Sequence, residues 1–99
     1  MTDASSPSRP LFPLGKVVST PGALRALAES GQSPQEFLAR HERGDWGDLE
    51  TSDRCENADS LVWPHRRILS AYRLKNDETI WIITEADRSS TCILLPDEY

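Results

Sequence analysis

Two runs of β-branched and aromatic residues give the chain its clearest pattern. Residues 79–84 and 91–95 are rich in Ile and Thr, and the first run also contains a Trp; these residue types favour strands. Successive side chains of a strand point to opposite faces, so Ile80 and Trp81 lie on different sides. Because both sides of the first run are apolar, we expect a central strand in which Trp81 is mostly buried.

A third apolar run, residues 67–74, precedes these two. Residues 75–78 are polar and predict a tight hairpin turn, and residues 85–90 form a polar link to the last run. Short connections between successive strands favour antiparallel neighbours. The pattern therefore predicts a three-stranded antiparallel β-meander.

The first half of the chain has the spacing of short helices. Thr20 followed by Pro21 predicts a helix start, and Gly31 predicts its end. Apolar residues within this span recur at helical intervals, and Leu24, Leu27 and Ala28 are expected to face the core.

A second helix begins at the Ser33-Pro34-Gln35-Glu36 sequence, which has the spacing of a capping box. Phe37, Leu38 and His41 line one side of it, and Gly44 follows its end. A third helix is predicted over residues 52–61. Trp46 and Leu49, in the connection, are expected to anchor that loop to the core.

The order of these elements predicts an α+β domain, with two or three short N-terminal helices packed on one face of the three-stranded meander. Residues 1–13 contain three Ser and three Pro and predict a disordered tail, so the single domain spans residues 14–99. Lys16–Ser19 predicts either a short edge strand or an extended lead-in.

Charge is concentrated in one segment. The chain has 16 acidic and 11 basic residues, and residues 41–60 hold seven of the acids against two bases, which accounts for the net charge of −5. Such a surface repels phosphate backbones and favours a basic partner, whereas a solvated acidic surface is the simpler alternative. The partner-binding candidates are Asp45, Asp48, Glu50, Asp53 and Glu56.

The chain carries none of the usual sorting signals. Residues 1–10 are polar and lack an apolar signal-peptide core, and no apolar run approaches the ~20 residues of a membrane helix. We therefore expect a cytoplasmic protein that makes no contact with membranes. Cys55 and Cys92 fit no paired-cysteine motif and are expected to be free thiols.

Most motifs of enzymatic chemistry are missing from the sequence. There is no phosphate-binding glycine loop, zinc-ligand spacing, nucleophile elbow or dinucleotide fingerprint. His41 with Asp45 and Asp48 matches no recognised metal spacing, so we predict no metal and no cofactor. His41 is expected instead to stabilise the C-terminal end of its helix as an imidazolium.

The link at residues 85–90 combines Glu85, Asp87 and Arg88 within four positions. The simpler interpretation is a local ion pair that fixes the turn between two strands. The functional alternative places Arg88 outward beside His41, where it would bind an anion.

Four stretches together resemble a known family. His41-Glu-Arg-Gly-Asp-Trp-Gly-Asp, Arg67-Ile-Leu-Ser-Ala-Tyr, Ile80-Trp-Ile-Ile-Thr-Glu-Ala-Asp-Arg-Ser and Ile93-Leu-Leu-Pro-Asp-Glu-Tyr are similar to small bacterial proteins encoded on plasmids, phages and integrated elements. These proteins are usually described as plasmid-related, and some carry restriction–modification names. The resemblance covers residues 14–99 and implies a mobile-element context, but no activity.

Two functions remain open at this point. The first is a non-enzymatic binding protein of a mobile element, which inhibits a host nucleic-acid-handling or defence complex by presenting an acidic face to a basic surface. The second is a metal-independent ribonuclease toxin, since helices followed by an antiparallel sheet are also the order of barnase-like and RelE-like toxins. Its acid, base and phosphate-binding groups would be His41, Arg67, Glu85 and Arg88. The excess of acidic residues favours the first function. Contacts with phosphates dominate the affinity for nucleic acids, so an acidic protein is not expected to bind nucleic acid directly.

Overall fold

The computed structural model describes residues 10–49 and 66–99. In chain order, the elements are strand β1 (Lys16–Ser19), helices α1 (Pro21–Ser30) and α2 (Pro34–Glu42), strands β2 (Ile68–Arg73), β3 (Thr79–Thr84) and β4 (Ser90–Leu94), and a short 3-10 helix, Pro96–Glu98. The α+β class is therefore confirmed. The helix predicted over residues 52–61 lies outside the described residues, and two α-helices are found within them.

The sheet has four strands in the order β1-β4-β3-β2. Strands β2, β3 and β4 form the antiparallel meander that the sequence predicts, and β3 lies in the interior as expected. The three-stranded prediction is nevertheless wrong, because β1 adds a fourth strand that runs parallel to β4. The sheet is therefore mixed, and its first strand in sequence pairs with its last.

Strand register divides the sheet into two faces. Tyr72, Ile80, Ile82 and Ile93 share the face that packs on the helices, together with Ala26 and other buried residues of α1 and α2. The expected one-sided placement of the helices is thus confirmed. The other face carries Trp81, which is half-buried rather than mostly buried and makes an edge contact with the ring of Tyr99.

Helix α1 has the ends that the sequence predicts. Thr20 accepts a hydrogen bond at its side-chain oxygen from the Ala23 N–H, at 3.2 Å. Gly31 follows the helix with φ +73°, and the N–H of Gln32 donates to the Leu27 carbonyl. The predicted inner face is partly wrong. Leu27 is buried as expected, but Leu24 is 50% exposed and Ala28 is also exposed, while Ala23 and Ala26 are buried. Ala23, Ala26 and Leu27 share one side of the helix, and Leu24 lies away from it.

The predicted capping box of α2 is not formed. Ser33 occupies the N-cap position, but its hydroxyl contacts the Gln35 side chain instead of a backbone N–H. The Glu36 carboxylate accepts a hydrogen bond from the Gln32 side chain. Phe37, Leu38 and His41 all face the core as expected.

The segment before β1 belongs to the packed structure from Phe12 onward. Phe12 is 6% exposed and joins Trp46 and Leu49 in a second apolar cluster. The expected anchoring of the loop by Trp46 and Leu49 is confirmed. Phe12, which falls within the predicted tail 1–13, is a core residue. In the described part of the chain, no helix combines the length and the apolar character that crossing a bilayer requires.

Candidate functional site

His41 lies in the interior between α2 and the sheet. Its side chain is fully buried, with Nδ1 2.5 Å from the Ser70 hydroxyl on β2 and Nε2 2.9 Å from the Thr84 hydroxyl on β3. Thr84 lies 2.7 Å from Thr91 on β4, and the Thr91 hydroxyl donates to the carbonyl oxygen of Leu14. One polar chain therefore links α2, three strands and the segment before β1.

The direction of each hydrogen bond in this polar network follows from its last bond, which joins Thr91 to the Leu14 carbonyl. Because the Thr91 hydroxyl uses its proton on the Leu14 carbonyl, Thr84 must donate to Thr91. Thr84 can then only accept from His41, so Nε2 carries the ring proton. The unprotonated Nδ1 accepts from the Ser70 hydroxyl. The network thus selects one neutral tautomer of the imidazole and uses both ring nitrogens.

Burial also keeps this imidazole neutral. Desolvation lowers the pKa of His41 from 6.5 to about 3, because an imidazolium would be taken out of water. The expectation that His41 stabilises the end of α2 as an imidazolium is therefore wrong. The side chain points into the core, where its hydrogen-bonding capacity is satisfied by hydroxyl groups.

Aromatic rings close the network from the side. The Phe12 ring meets the His41 ring edge-on at 5.2 Å between centroids, and Trp46 makes a similar contact at 6.0 Å. The Arg88 guanidinium lies 5.8 Å from the centre of the Phe12 ring. The Phe12 ring thus lies against both His41 and Arg88, and the alternative interpretation, an open anion site formed by Arg88 beside His41, is not supported.

The Arg88 side chain forms hydrogen bonds with backbone atoms of the link between β3 and β4. Its Nη1 donates to the carbonyl oxygens of Arg66, Glu85 and Ala86, at 2.8, 3.1 and 3.2 Å. Partial burial lowers the pKa of the guanidinium. The contact with Glu85 goes to its backbone oxygen, so the expected carboxylate pair gives way to carbonyl bonding. The structural interpretation of this turn is supported.

The other two candidates of the nuclease set have different surroundings. The Arg67 side chain donates to the Tyr99 hydroxyl at 2.8 Å and lies over its ring. Glu85 is exposed at the end of β3. With His41 enclosed and Arg88 engaged by backbone oxygens, the four side chains do not form one accessible site.

The described part of the acidic segment is a short loop at the edge of the sheet. Asp45 forms a two-point ion pair with Arg40, with Nε and Nη2 at 2.7 and 3.3 Å from its two oxygens, and it also accepts from the Gly47 N–H. This pairing lowers the pKa of the carboxyl group. Arg40 in turn lies 4.7 Å above the ring of Tyr72. Asp45 therefore helps to hold the loop in place.

This loop continues the sheet beyond β2. The Ala71 N–H donates to the Trp46 carbonyl, and the Asp48 N–H donates to the Ala71 carbonyl, so Gly47 forms a bridge to Ala71. A Cβ at Gly47 would lie 2.0 Å from the Ala71 carbonyl oxygen, and φ there is +73°. Only glycine fits this approach. The bridge fixes Asp48 as an exposed side chain on a rigid loop.

Of the predicted partner-binding residues, Asp45 and Asp48 are exposed as expected, and both lie on this loop. Glu50, Asp53 and Glu56 lie outside the described residues. Sequence reasoning missed the hydroxyls of Ser70, Thr84 and Thr91, which are buried with His41. Their positions on the inward side of predicted strands were the available signal, since a buried hydroxyl requires a polar partner.

Tyr72 was also missed as a polar residue. Its hydroxyl donates to the Asp45 carbonyl at 2.6 Å, and burial raises its pKa to about 12. Tyr72 therefore joins the helix-side core to the acidic loop.

No cluster of metal-binding side chains occurs among residues 10–49 and 66–99. Comparisons with protein-family models, with curated proteins and with solved structures found no match.

Proposed function

We propose that this chain is a small, non-enzymatic binding protein of a mobile genetic element, which presents acidic side chains to a basic protein surface. Its partner is a host nucleic-acid-handling or defence complex that the protein inhibits by occupying a site for phosphates. The observation that carries the proposal is the rigid acid-bearing loop at the edge of β2.

Rigidity matters because ordering a flexible loop on binding costs free energy. Here the loop is already ordered by the buried anchors Trp46 and Leu49 and by the Gly47 bridge. Asp48 is exposed on it. The high acid content continues in the sequence through residues 50–60. Carboxylates on the surface accelerate association with a basic partner and make the affinity dependent on salt.

The ribonuclease alternative gains no support from the site. A general base needs a free lone pair within reach of the substrate. The Nδ1 lone pair of His41 accepts from Ser70 inside the core. Arg88, the expected phosphate ligand, uses its Nη1 on backbone oxygens.

The experiment begins by capturing proteins from the bacterial host with the immobilised wild-type chain and identifying them by mass spectrometry. The purified partner is then titrated at several salt concentrations. We expect the triple reversal Asp48→Lys, Asp53→Lys and Glu56→Lys to abolish binding and to leave the melting temperature near that of the wild type. Asp45 is left intact because its ion pair with Arg40 supports the loop.

The matched control reverses three acids elsewhere that are exposed in the structure, with Glu36→Lys, Glu85→Lys and Asp97→Lys. It has the same net charge as the triple reversal, so equal loss of binding in both would point to overall charge and contradict a defined acidic face. Unchanged affinity of the triple reversal would also contradict the proposal. Cleavage of RNA by the purified wild type, lost on His41→Ala, would favour the ribonuclease instead.

A further inference from the structure

The two edges of the sheet differ in what lies beyond the outer strand. Beyond β2, the backbone of residues 46–48 continues the pairing. At the other edge, β4 is the one strand paired with β1 in the described part of the chain. Val17 and Val18, whose side chains point to opposite faces, are 43% and 42% exposed. The β1 edge therefore has accessible apolar side chains on both of its faces.

The backbone groups along this edge can be assigned. Lys16 and Thr20 donate their N–H groups to the Ser89 and Ile93 carbonyls, towards β4. Alternate residues of a strand direct their backbone groups to opposite sides. The N–H and C=O groups of Val17 and Ser19 consequently point outward, in position to pair with another strand.

We propose that this edge pairs with the β1 strand of a second copy of the chain, in an antiparallel arrangement about a two-fold axis that passes beside Val18. The outward groups set this register. Hydrogen-bonded pairs must join outward residues of both copies, and only the register that places Val17 of each copy opposite Ser19 of the other uses both outward residues of β1. A register centred on Val17 would pair Ser19 with Gly15, which lies outside the strand with φ +66°. Val18 then faces its own counterpart in a non-hydrogen-bonded pair, where side chains are closest.

Charge supports a second copy as the occupant. In this register Lys16 of one copy lies opposite Thr20 of the other. The Thr20 hydroxyl donates to the Glu98 carboxylate at 2.5 Å, so an acidic side chain lies at the Thr20 end of β1. The two-fold axis places a lysine beside a carboxylate at both ends of the pairing. No like charges face each other along residues 16–20.

The pairing is reversible rather than permanent. Stable interfaces bury about 1,600 Å² in total, which four residues per copy do not reach. An isologous contact of this kind closes after two copies and does not extend into a fibre. The inference concerns the edge opposite the acidic loop and does not depend on the proposed function.

Disulfide trapping tests the register directly. Across a non-hydrogen-bonded pair the Cα atoms are about 4.5 Å apart, within the range for a disulfide. Val18→Cys should therefore cross-link two copies under mild oxidation. In the same register two Val17 positions are diagonal neighbours, about 7–8 Å apart. The matched control Val17→Cys should not cross-link.

Both variants are made with Cys55→Ser and Cys92→Ser, because Cys92 is the neighbour of Val18 on β4 and would compete for the new thiol. We expect at least tenfold more covalent dimer from Val18→Cys than from Val17→Cys at equal concentration. Equal cross-linking of the two, or none from either, would overturn the proposed pairing.

Sedimentation velocity on the wild-type chain provides the second measurement. The average mass should rise with concentration, and Val18→Lys should remain monomeric because two ammonium groups would face each other across the axis. Leu11→Lys, an equally drastic change at a residue 54% exposed beside the end of α2, should associate as the wild type does. A wild-type chain that stays monomeric at millimolar concentration would refute the proposal.

Discussion

The buried imidazole of His41 makes stability depend on pH in a defined window. The pKa is about 3 in the folded protein and about 6.5 in an unfolded chain. The unfolded state therefore binds the proton more readily between these values. The stability that the protein gains from keeping His41 neutral is fully present above pH 6.5, and it falls steadily as the pH drops towards 3.

The magnitude follows from the same two values. Each pH unit below 6.5 removes about 1.4 kcal/mol, so moving from pH 8 to pH 5 should lower the free energy of unfolding by about 2 kcal/mol. For a domain of this size that corresponds to roughly 10 °C in melting temperature. The lowered pKa of the Asp45 carboxyl places its own loss of stability at more acidic pH. The interval from pH 5 to pH 8 thus isolates histidine.

Urea unfolding at pH 8, 6 and 5 measures the effect. His65→Gln serves as the reference, because it removes the only other imidazole of the chain. The double variant His41→Gln/His65→Gln should show a much flatter dependence on pH. An equal unfolding midpoint at pH 5 and pH 8 in the reference would refute the reasoning. NMR of the wild type gives an independent check, since the ring should remain the Nε2-protonated neutral form to at least pH 4.5.

Two further predictions concern backbone geometry. Gly47→Ala should lower the free energy of unfolding by at least about 2 kcal/mol, because the new Cβ meets the Ala71 carbonyl. Gly31→Ala, at the same φ but with open space around it, should cost only about 1 kcal/mol, and equal costs in urea unfolding would contradict the bridge. Arg88→Ala should cost about 1–2 kcal/mol through lost hydrogen bonds at the β3–β4 link. Arg88→Gly should be more stable than Arg88→Ala because φ is +61°, and the opposite order in thermal melts would argue against this account.

Local patterns were sufficient for the three antiparallel strands and for the ends of α1. The alternation of residues 79–84 predicted β3, and Thr20 and Gly31 marked the limits of α1. Each of these signals is contained within a few neighbouring residues. Trp46 and Leu49 could be predicted as anchors because large apolar side chains in a polar loop are usually buried against the core.

Features that depend on distant residues could not be predicted from such patterns. The parallel pairing of β1 with β4 joins residues more than 70 positions apart. The burial of His41 depends on hydroxyls from three different strands, and its position at the end of a helix suggested an exposed cation instead. Leu24 is expected in the core because it falls at helical spacing with Leu27 and Ala28, whereas the residues that join Leu27 in the core are Ala23 and Ala26.

The placement of β1 beside β4 also has consequences for the order of folding. During synthesis β1, α1 and α2 emerge before any strand of the meander exists. Neither helix exceeds ten residues, and helices this short are marginal in water without an apolar partner. Closing the sheet then requires a loop of more than 70 residues, which carries an entropic cost and slows folding. We therefore expect β2, β3 and β4 to form first and to act as the template on which the earlier half of the chain is assembled.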